Sequence, residues 1–392
     1  MGVGADGWPG IPDRLRDHIL AADVVLGGAR HLDLLPPLDG QVRERWPSPL
    51  RAELPALVQR YVGRRVVVLA SGDPFMSGIA TTLVELFGSE SVDVEPAVSS
   101  VSLARARMAW AAETVETVSL VGRPATGVLR SLAPGHRLIV LSADERTPAE
   151  VAGLLSESGY AASRLTVLGD LAADSESRVE GLAGSWDAVS PRLNVIAVEL
   201  VGPALPTWGL PDDAYESDGQ LTRRDLRVAA LSRLAPGPGQ LLWDVGAGTG
   251  TVGIEWMRTH PTCRAVAVEA RSDRAERITR NAARLGVPGL EVVVGSAPDA
   301  LAGLPAPDAV FVGGGATSPG LVDRCLAALR PGGRLVVHGV TLETESLLAA
   351  ARAKRGGELT RIQVEYAAPL GSFTGWTPAR AVTQWAFDKE TS

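Results

Sequence analysis

The sequence predicts an α/β protein with two domains in tandem, and three observations support this expectation. Short runs of β-branched residues alternate with longer amphipathic stretches, which is typical of a mostly parallel sheet covered by helices. The length of 392 residues suits two hydrophobic cores better than one. A segment rich in proline and glycine, residues 202–219, interrupts both patterns near the middle of the chain. We therefore expect domains at residues 1–201 and 220–392, joined by this linker.

The overall composition excludes several classes of protein. Hydrophobic residues make up 45% of the chain and charged residues 21%, a balance that excludes a disordered protein and a disulfide-built miniprotein. The formal net charge of −7 offers no positive field to nucleic acid. No apolar run approaches the roughly 18 residues of a membrane helix, and no secretory signal peptide is apparent. We expect a cytoplasmic protein without nucleic-acid or membrane partners. The composition is compatible with a homo-oligomer.

Cysteine and histidine residues give no signal for a metal site or a disulfide. Cys263 and Cys325 lie far apart in the chain with no CxxC spacing, so we expect two small buried side chains in a reducing compartment. The five histidines are scattered singly. We therefore assign no metal.

Five apolar runs predict strands in the first half of the chain, with helices between them. These runs are residues 65–70, 117–121, 137–142, 164–167 and 194–201. One helix has a recognisable start, since Thr147 can act as the N-cap, Pro148 suits the first turn and Glu150 completes a capping box.

The second half repeats the alternation of strands and helices after the linker. Strands are expected at residues 240–244, 265–269, 291–294, 309–312 and 334–337. Residues 367–385, which are rich in glycine, threonine and tryptophan, predict a late hairpin.

The most informative stretch is a glycine loop in the second half. Asp244 ends an apolar strand, Gly246, Gly248 and Gly250 follow at alternate positions, and a helix comes next. Backbone without Cβ atoms allows a ligand to approach closely, and the N–H groups of a helix start favour polar or anionic groups. Glu269, at the end of the next strand, could accept hydrogen bonds from both hydroxyls of a ribose. The pattern predicts a site for an adenosine-containing ligand.

Two cofactors fit this pattern. Residues 248–253 also form a literal GxGxxG with an acid about 20 residues further on, which is the signature of dinucleotide-binding folds. Spacing alone does not separate NAD from S-adenosylmethionine. Asp244 favours S-adenosylmethionine, because that cofactor has no phosphates and carries an ammonium group that suits an anionic wall. An NAD-dependent oxidoreductase stays open as the alternative.

The DxGxGxG pattern of residues 244–250 resembles motif I of the class I methyltransferases. The resemblance implies a Rossmann-like C-terminal domain whose S-adenosylmethionine site also includes Ala247 and Thr249. Residues 295–298 resemble the segment that flanks adenine in that family, which implies Ala297 as the adenine contact. Two later segments match the same family in order, residues 311–315 and 331–336.

A narrower resemblance covers nearly the whole chain. Residues 218–224 and 374–376 resemble the decarboxylating half of the bifunctional precorrin methyltransferases of cobalamin biosynthesis. Residues 2–7, 71–78 and 99–102 resemble the other half of the same enzymes, which is a tetrapyrrole methylase domain that lacks DxGxGxG. The resemblance implies an N-terminal tetrapyrrole-methylase-like domain beside the C-terminal class I methyltransferase domain.

This resemblance implies both a reaction and further site residues. The implied reaction methylates the reduced tetrapyrrole precorrin-6B at carbons 5 and 15 and removes carbon dioxide from the ring C acetate, giving precorrin-8X. Gly4, Asp73 and Ser100 are implied at the cofactor of the first half, and Thr222 is implied at the cofactor of the second half. The substrate carries many carboxylates, and the residues implied to clamp them are Arg223 and Arg224.

Three further residues are candidates for proton handling near the second pocket, namely Asp218, Glu255 and His338. The chain opens Met1-Gly2-Val3-Gly4, so most of the apolar first strand of the tetrapyrrole methylases is missing from the sequence. We expect this gap to weaken the sheet and the cofactor site of the first half. A non-catalytic carrier of corrinoid intermediates therefore stays open as a further alternative.

Overall fold

The computed structural model describes residues 1–391. The chain divides into two compact units, Met1–Pro203 and Ala204–Ser392, which we call the N-terminal and C-terminal units. Both units consist of strands alternating with helices, so the expected α/β class with two tandem domains is confirmed. Within the described residues, no helix combines the length and the apolar character needed to cross a bilayer.

The N-terminal unit contains six α-helices and ten strands. The helices are α1 (Asp13–Leu20), α2 (Ala29–Asp33), α3 (Leu50–Gln59), α4 (Ile79–Phe87), α5 (Ser100–Met108) and α6 (Thr147–Glu157). The strands are β1 (Gly2–Val3), β2 (Val24–Gly27), β3 (Val42–Arg45), β4 (Val66–Val68), β5 (Ala70–Ser71), β6 (Glu116–Ser119), β7 (Arg137–Leu141), β8 (Arg164–Gly169), β9 (Ser177–Leu182) and β10 (Asn194–Glu199).

Three sheets form from these strands, with orders β3-β2-β4, β1-β5 and β6-β7-β10-β8-β9. The first two sheets are parallel. The expectation of a mostly parallel arrangement is wrong for the third sheet, because β10 runs antiparallel to both β7 and β8. Strand β9 is also antiparallel to β8, which follows from the short loop that joins them, since parallel neighbours need a crossover of a dozen or more residues.

The opening of the chain forms a short strand. Strand β1 has two residues and pairs in parallel with β5, with Gly2 opposite Ala70. The Gly2 N–H donates to the Glu95 carbonyl at 2.8 Å. The single strand predicted at residues 65–70 is divided into β4 and β5, which belong to different sheets.

The predicted capping box at α6 is wrong, although the helix begins at the expected place. Thr147 is the first helical residue, and Arg146 occupies the N-cap position without a capping hydrogen bond from its side chain. The Thr147 hydroxyl instead accepts hydrogen bonds from the N–H groups of Ala143 and Asp144, each at 3.2 Å. The hydroxyl therefore closes the turn before the helix, and the Thr147 N–H donates to the Asp144 carbonyl at 3.3 Å.

The C-terminal unit contains five α-helices and nine strands. The helices are α7 (Arg224–Leu234), α8 (Thr251–Thr259), α9 (Ser272–Arg284), α10 (Leu321–Ala328) and α11 (Leu342–Arg355). The strands are β11 (Leu241–Val245), β12 (Arg264–Glu269), β13 (Glu291–Val294), β14 (Ala309–Val312), β15 (Arg334–Gly339), β16 (Glu358–Ile362), β17 (Glu365–Leu370), β18 (Phe373–Pro378) and β19 (Val382–Asp388).

Seven of these strands form one sheet, in the order β13-β12-β11-β14-β15-β19-β16. The five strands from β13 to β15 are parallel, and they are the five strands predicted from the sequence. Strand β19 runs antiparallel to both of its neighbours. The order reverses at β11, between β12 on one side and β14 on the other, which is where open α/β sheets bind ligands beyond the strand ends.

The late hairpin is shorter than expected. Strands β17 and β18 pair with each other from Glu365 to Pro378. Trp385, at the end of the predicted hairpin, lies instead in β19 and is fully buried in the main sheet. The reason is that residues 382–385 are buried one after another, which is typical of an internal strand covered on both faces.

The two cysteines are buried, as the sequence predicts. Each face of the seven-stranded sheet has its own hydrophobic core. Trp256 and Ile278 lie in one cluster, whereas Trp243 and Leu348 lie in the other. These cores fix the position of β11 and therefore the position of the glycine loop that follows it.

Candidate functional site

The glycine loop joins β11 to α8 and has a backbone that side chains would strain. Gly246, Gly248 and Gly250 have φ values of +67°, +61° and +76°, all in the left-handed region. A Cβ atom on Gly246 would lie 2.9 Å from the carbonyl oxygen of Gly314. A Cβ atom on Gly250 would lie 2.7 Å from a methyl group of Ile278. The alternating glycines of the sequence motif are therefore required by the backbone itself.

Asp244 is buried directly below this loop. Its side chain is 1% exposed, and its Oδ2 accepts a hydrogen bond from the Gly253 N–H at 2.9 Å. Burial raises the pKa of the Asp244 carboxyl to about 7, with the Gly253 hydrogen bond opposing the shift and the charge of Glu269 adding to it. A cationic ligand group nearby would stabilise the charged form, so this carboxyl is suited to an ammonium or sulfonium group.

Glu269 ends β12 and holds the glycine loop in place. Its Oε2 accepts from the Gly248 N–H at 2.8 Å, and its Oε1 accepts from the Arg271 N–H at 3.0 Å. Each carboxylate oxygen has a second lone pair, so these contacts leave acceptor capacity for the hydroxyls of a ribose. The residue is only 6% exposed, so a ligand would reach these oxygens from the side of the glycine loop.

The other residues predicted around the second cofactor differ in accessibility. Ala247 and Ala297 are half-buried, and both pack against the hydrophobic cores. Thr249 is fully buried, and its hydroxyl has no hydrogen-bond partner among residues 1–391. A contact from Thr249 would therefore use its backbone. Thr222 is half-buried and precedes α7, and the Gln220 carbonyl in the same segment lies 3.5 Å from where a Gly248 Cβ would stand.

Glu255 is poorly suited to handling protons, because its carboxylate is engaged in a buried network. It is fully buried and pairs with the equally buried Arg227 at 2.7 Å. Its carboxylate also accepts from the N–H groups of Gly209 and Leu210, at 2.6 and 3.0 Å, and from the Tyr215 hydroxyl at 2.9 Å. These contacts anchor residues 209–215 to α8, so the role of Glu255 is structural.

Asp218 and His338 are also poorly suited to proton transfer. Burial raises the pKa of Asp218, but ion pairs with Arg274 at 2.9 Å and Arg277 at 3.4 Å outweigh it, so the pKa lies at about 2. Burial lowers the pKa of His338 to about 4, although its hydrogen bond to Gln384 at 2.9 Å opposes the shift. At neutral pH the first group is a fixed carboxylate and the second a neutral imidazole.

Arg223 and Arg224 lie at the start of α7 with exposed side chains. Arg223 pairs with Asp212 at 3.3 Å, and the backbone N–H of Arg224 donates to the same carboxylate at 3.0 Å. The exposed Arg223–Asp212 pair contributes little to stability. Both arginine side chains are exposed, so both guanidinium groups are accessible to an anionic ligand.

The N-terminal unit contains a separate cavity of about 470 Å³. Gly4, Asp73 and Ser100, the three residues predicted at the first cofactor, all line it. Gly72, between β5 and Asp73, has a φ of +51°, and a Cβ atom there would lie 3.2 Å from the Val98 carbonyl oxygen. The structure therefore brings three segments that are distant in sequence to one cavity through a turn that requires glycine.

Sequence reasoning missed two residues of this cavity, Arg30 and His31. They follow β2, a strand that the sequence analysis also missed, and they lie beside Ser71 at the end of β5. Their position directly after a parallel strand is a signal that could have identified them, because ligands bind beyond the carboxyl ends of such strands.

Comparisons with known proteins identify both units. Residues 1–186 match the family model described as tetrapyrrole (corrin/porphyrin) methylases. Residues 213–389 match the family model described as a precorrin methyltransferase domain.

Three relatives illustrate the similarity. A precorrin-6Y C(5,15)-methyltransferase (decarboxylating) from Sinorhizobium sp is 45% identical, over 99% of this chain and 95% of that protein. The cobalt-precorrin-6B C(15)-methyltransferase (decarboxylating) of Salmonella typhimurium is 32% identical over 43% of this chain and 90% of its own length. The cobalt-precorrin-7 C(5)-methyltransferase of the same organism is 34% identical over 46% of this chain and 87% of its own length. The similarity to the Sinorhizobium protein spans both units and confirms the resemblance found in the sequence motifs. The chain belongs to the family of decarboxylating precorrin-6Y C(5,15)-methyltransferases.

Proposed function

We propose that this chain uses S-adenosylmethionine to methylate precorrin-6B at carbons 5 and 15 and to decarboxylate the ring C acetate, giving precorrin-8X. Family membership makes the chain a decarboxylating C-methyltransferase of cobalamin biosynthesis. The observation that carries the finer proposal is the 45% identity to the Sinorhizobium enzyme over 99% of this chain. Two separate ligand-binding geometries, one in each unit, fit an enzyme that performs two methyl transfers.

We assign the two transfers to different units. The C-terminal unit, which matches the precorrin methyltransferase domain, would methylate carbon 15 and decarboxylate. The N-terminal unit, which matches the tetrapyrrole methylases, would methylate carbon 5. This division is supported by the two Salmonella relatives, whose names give the two activities to separate proteins that each match less than half of this chain.

The residues of the glycine loop fit S-adenosylmethionine better than a dinucleotide. The buried Asp244 carboxyl favours a cationic neighbour, and a pyrophosphate would raise the cost of its charge further. Glu269 would bind the ribose hydroxyls, Ala297 would flank the adenine, and Thr222 would border the cofactor. When bound, the cofactor supplies an electrophilic methyl group on a sulfonium sulfur.

In the N-terminal unit the cofactor would bind in the cavity, beside Gly4, Asp73 and Ser100. The Asp73 Oδ1 accepts from the Phe75 N–H at 2.9 Å and so fixes the turn that starts at Gly72. The missing Cβ atom at Gly72 lets this turn pack closely against the backbone of residues 98–100, which brings Asp73 and Ser100 to the same cavity.

The protein's contribution to the chemistry is alignment. A reduced tetrapyrrole carbon is already nucleophilic, so the chain would mainly have to hold that carbon in line with the methyl group and its sulfur leaving group. Decarboxylation releases carbon dioxide, and the electron pair of the broken bond takes up a proton. Arg223 and Arg224 would hold substrate carboxylates through charge-assisted hydrogen bonds and thereby fix the reacting carbon.

The full-length protein, incubated with precorrin-6B and isotopically labelled S-adenosylmethionine, tests the proposal by mass spectrometry. We expect two labelled methyl groups in the product and the loss of one carbon dioxide. The variant Gly246→Val should remove the carbon 15 methyl and the decarboxylation, because its side chain would collide with Gly314. Gly289→Ala, where a Cβ atom meets nothing within 4 Å, is the matched control.

Two alternatives predict different results. A dinucleotide site would bind NAD and not S-adenosylhomocysteine, which would overturn the cofactor assignment. A carrier of corrinoid intermediates would bind the substrate and release it with no labelled methyl group.

A further inference from the structure

Arg30 is a cation without an anionic partner at the wall of the N-terminal cavity. Among residues 1–391 its side chain forms no ion pair with an aspartate or glutamate, and Asp170 acts on it only through longer-range electrostatics. Burial lowers the pKa of Arg30 from its usual range, while the charge of Asp170 opposes the shift. Arginine nevertheless stays protonated in proteins, so the cavity contains a partly desolvated positive charge.

A triangle of hydrogen bonds fixes the direction of this guanidinium. Its Nη2 donates to the Ser71 hydroxyl at 3.0 Å and lies 2.8 Å from the Nε2 of His31. The Ser71 hydroxyl also lies 3.0 Å from that Nε2. An arginine can only donate, so the His31 Nε2 accepts and the ring proton lies on Nδ1. The Ser71 hydroxyl shares the one lone pair of this Nε2 as a second donor, while its oxygen accepts from the Arg30 Nη2.

His31 is a positioning residue in this arrangement. Burial and the neighbouring charge of Arg30 lower the pKa of His31 to about 4, so the imidazole is neutral at pH 7. A neutral acceptor holds the guanidinium without cancelling its charge. Only one nitrogen of the guanidinium is engaged by these contacts, so Nε and Nη1 keep their N–H groups for a ligand.

No acidic residue that lines the cavity forms an ion pair with Arg30. Many of the lining side chains are apolar, including Leu69, Leu168 and Leu171. The one acidic residue of the lining is Asp73, whose Oδ1 already accepts from the Phe75 N–H. A partly desolvated cation with free donors in a mainly apolar wall is complementary to a carboxylate, which can accept two parallel hydrogen bonds from one guanidinium.

We propose that Arg30, oriented by His31 and Ser71, is a carboxylate-binding subsite of the N-terminal unit. This proposal rests on the proposed function, because both reactants of that reaction carry carboxylates. One source is an acetate or propionate side chain of the tetrapyrrole. The other is the amino-acid end of S-adenosylmethionine.

The test compares Arg30→Gln with Arg64→Gln in the full chain. Arg64 is exposed, lies in the same unit and does not line the cavity, so it controls for the loss of one positive charge. Removing a charge-assisted hydrogen bond weakens binding by roughly ten- to a hundredfold. We measure KM and kcat for the carbon 5 methylation and the Kd of S-adenosylhomocysteine.

The two sources of the carboxylate give different results. A raised KM for precorrin with an unchanged Kd for S-adenosylhomocysteine assigns the subsite to the tetrapyrrole. A raised Kd for S-adenosylhomocysteine, with no change for methylthioadenosine, which lacks the carboxylate, assigns the subsite to the cofactor. Equal constants for Arg30→Gln and Arg64→Gln would overturn the subsite.

Two additional measurements keep the outcome interpretable. Ser71→Ala removes the two hydrogen bonds of an exposed hydroxyl, with Arg30 and with His31, and should produce a smaller change of the same kind without affecting folding. The carbon 15 methylation serves as an internal control and should not change in any of these variants. If the unaltered protein adds no methyl group at all, the proposed function fails, whereas the binding measurements with S-adenosylhomocysteine still decide the cofactor arm of the subsite.

Discussion

The glycine loop of the C-terminal unit and the cavity of the N-terminal unit are assembled from the chain in opposite ways. The loop and both of its acids come from one strand–helix–strand segment, from Asp244 to Glu269. The cavity collects Gly4, Arg30 and Asn194 from across its whole unit. A site made by one continuous segment leaves its pattern in the sequence, whereas a site made by strand pairing is recognised only when the sheets are known.

The two sites also differ in the sign of their buried charge. In the C-terminal unit the isolated group is the carboxyl of Asp244, whose only hydrogen bond among residues 1–391 comes from the backbone N–H of Gly253. In the N-terminal unit it is the guanidinium of Arg30. This contrast suggests that one site is built around a cationic group of its ligand and the other around an anionic group.

The largest expected effect tests whether the two units are independent in stability. Arg227→Met leaves the Glu255 carboxylate buried without its cationic partner, and it should destabilise the C-terminal unit by about 3–5 kcal/mol. Hydrogen exchange measured by mass spectrometry, with peptides sorted by unit, reports where protection is lost.

Arg233→Met is the matched control for this prediction. Arg233 lies on the same helix and pairs with Glu358 at 2.8 Å, but both side chains are exposed, so the loss should stay near 0.2–1 kcal/mol. Equal losses in the two variants, or a comparable loss of protection in the N-terminal unit, would contradict the description of two separately stabilised units.

The next effect concerns the pH dependence of stability. The pKa of Asp244 is raised to about 7 in the folded state, so its stabilising contribution is present below pH 4 and is lost as the pH rises through 7. Asp244→Asn removes this loss, and the variant should gain roughly 1–4 kcal/mol over the wild type between pH 4 and pH 8. Urea unfolding at several pH values gives the difference.

Two buried histidines change the stability with pH in the direction opposite to Asp244. The pKa values of His31 and His338 are lowered to about 4, so their contributions are present above pH 6.5 and are lost as the pH falls towards 4. Each unit contains one of these histidines, so both units should lose protection in acid, whereas the change near pH 7 should be confined to the C-terminal unit. For Asp244, the free energy of unfolding should differ between the wild type and Asp244→Asn by an amount that grows with pH. A difference that stays constant from pH 4 to pH 8 would disprove the assignment to Asp244.

The smallest effect compares the two glycine turns. Gly250→Ala and Gly72→Ala each place a side chain at positive φ, which costs about 1–2 kcal/mol before steric contacts are added. Gly250→Ala should cost more, because its Cβ atom would lie 2.7 Å from Ile278, whereas the nearest contact at Gly72 is 3.2 Å.

The matched controls are two glycines whose φ is not positive and whose Cβ position has no neighbouring atom within 4 Å. Gly289→Ala serves the C-terminal unit and Gly153→Ala, inside α6, serves the N-terminal unit. The second control should be slightly stabilising, since alanine favours a helix. Thermal unfolding ranks the four variants, and the reverse order for Gly250 and Gly72 would show that the turn in the cavity is the tighter one.

The parallel core of the C-terminal unit could be predicted because its strands are short apolar runs. All five expected strands are present, and the glycine motif lies at the end of the first one. The same reasoning missed β3, whose residues are mostly half-buried, and β9, whose residues are mostly exposed, because neither strand contains an apolar run. Polar edge strands leave no hydrophobic pattern, so only their pairing partners define them.

Side-chain roles were harder to predict than strands. Glu255 resembled a free acid because its partners, Leu210 and Arg227, belong to segments before the strand that precedes it. Asp218 is fixed by arginines that follow it by more than 50 residues. Sequence patterns show which groups can ionise, whereas their partners depend on tertiary contacts that a local window does not contain.

The position of β19 has a consequence for how the protein is made. This strand, from Val382 to Asp388, lies between β15 and β16 and completes the sheet from inside, not at its edge. A ribosome adds residues in order, so the N-terminal unit is entirely synthesised while the other sheet still has a gap with two open edges. Nascent chains stalled before residue 382 should therefore be prone to aggregation and depend on chaperones.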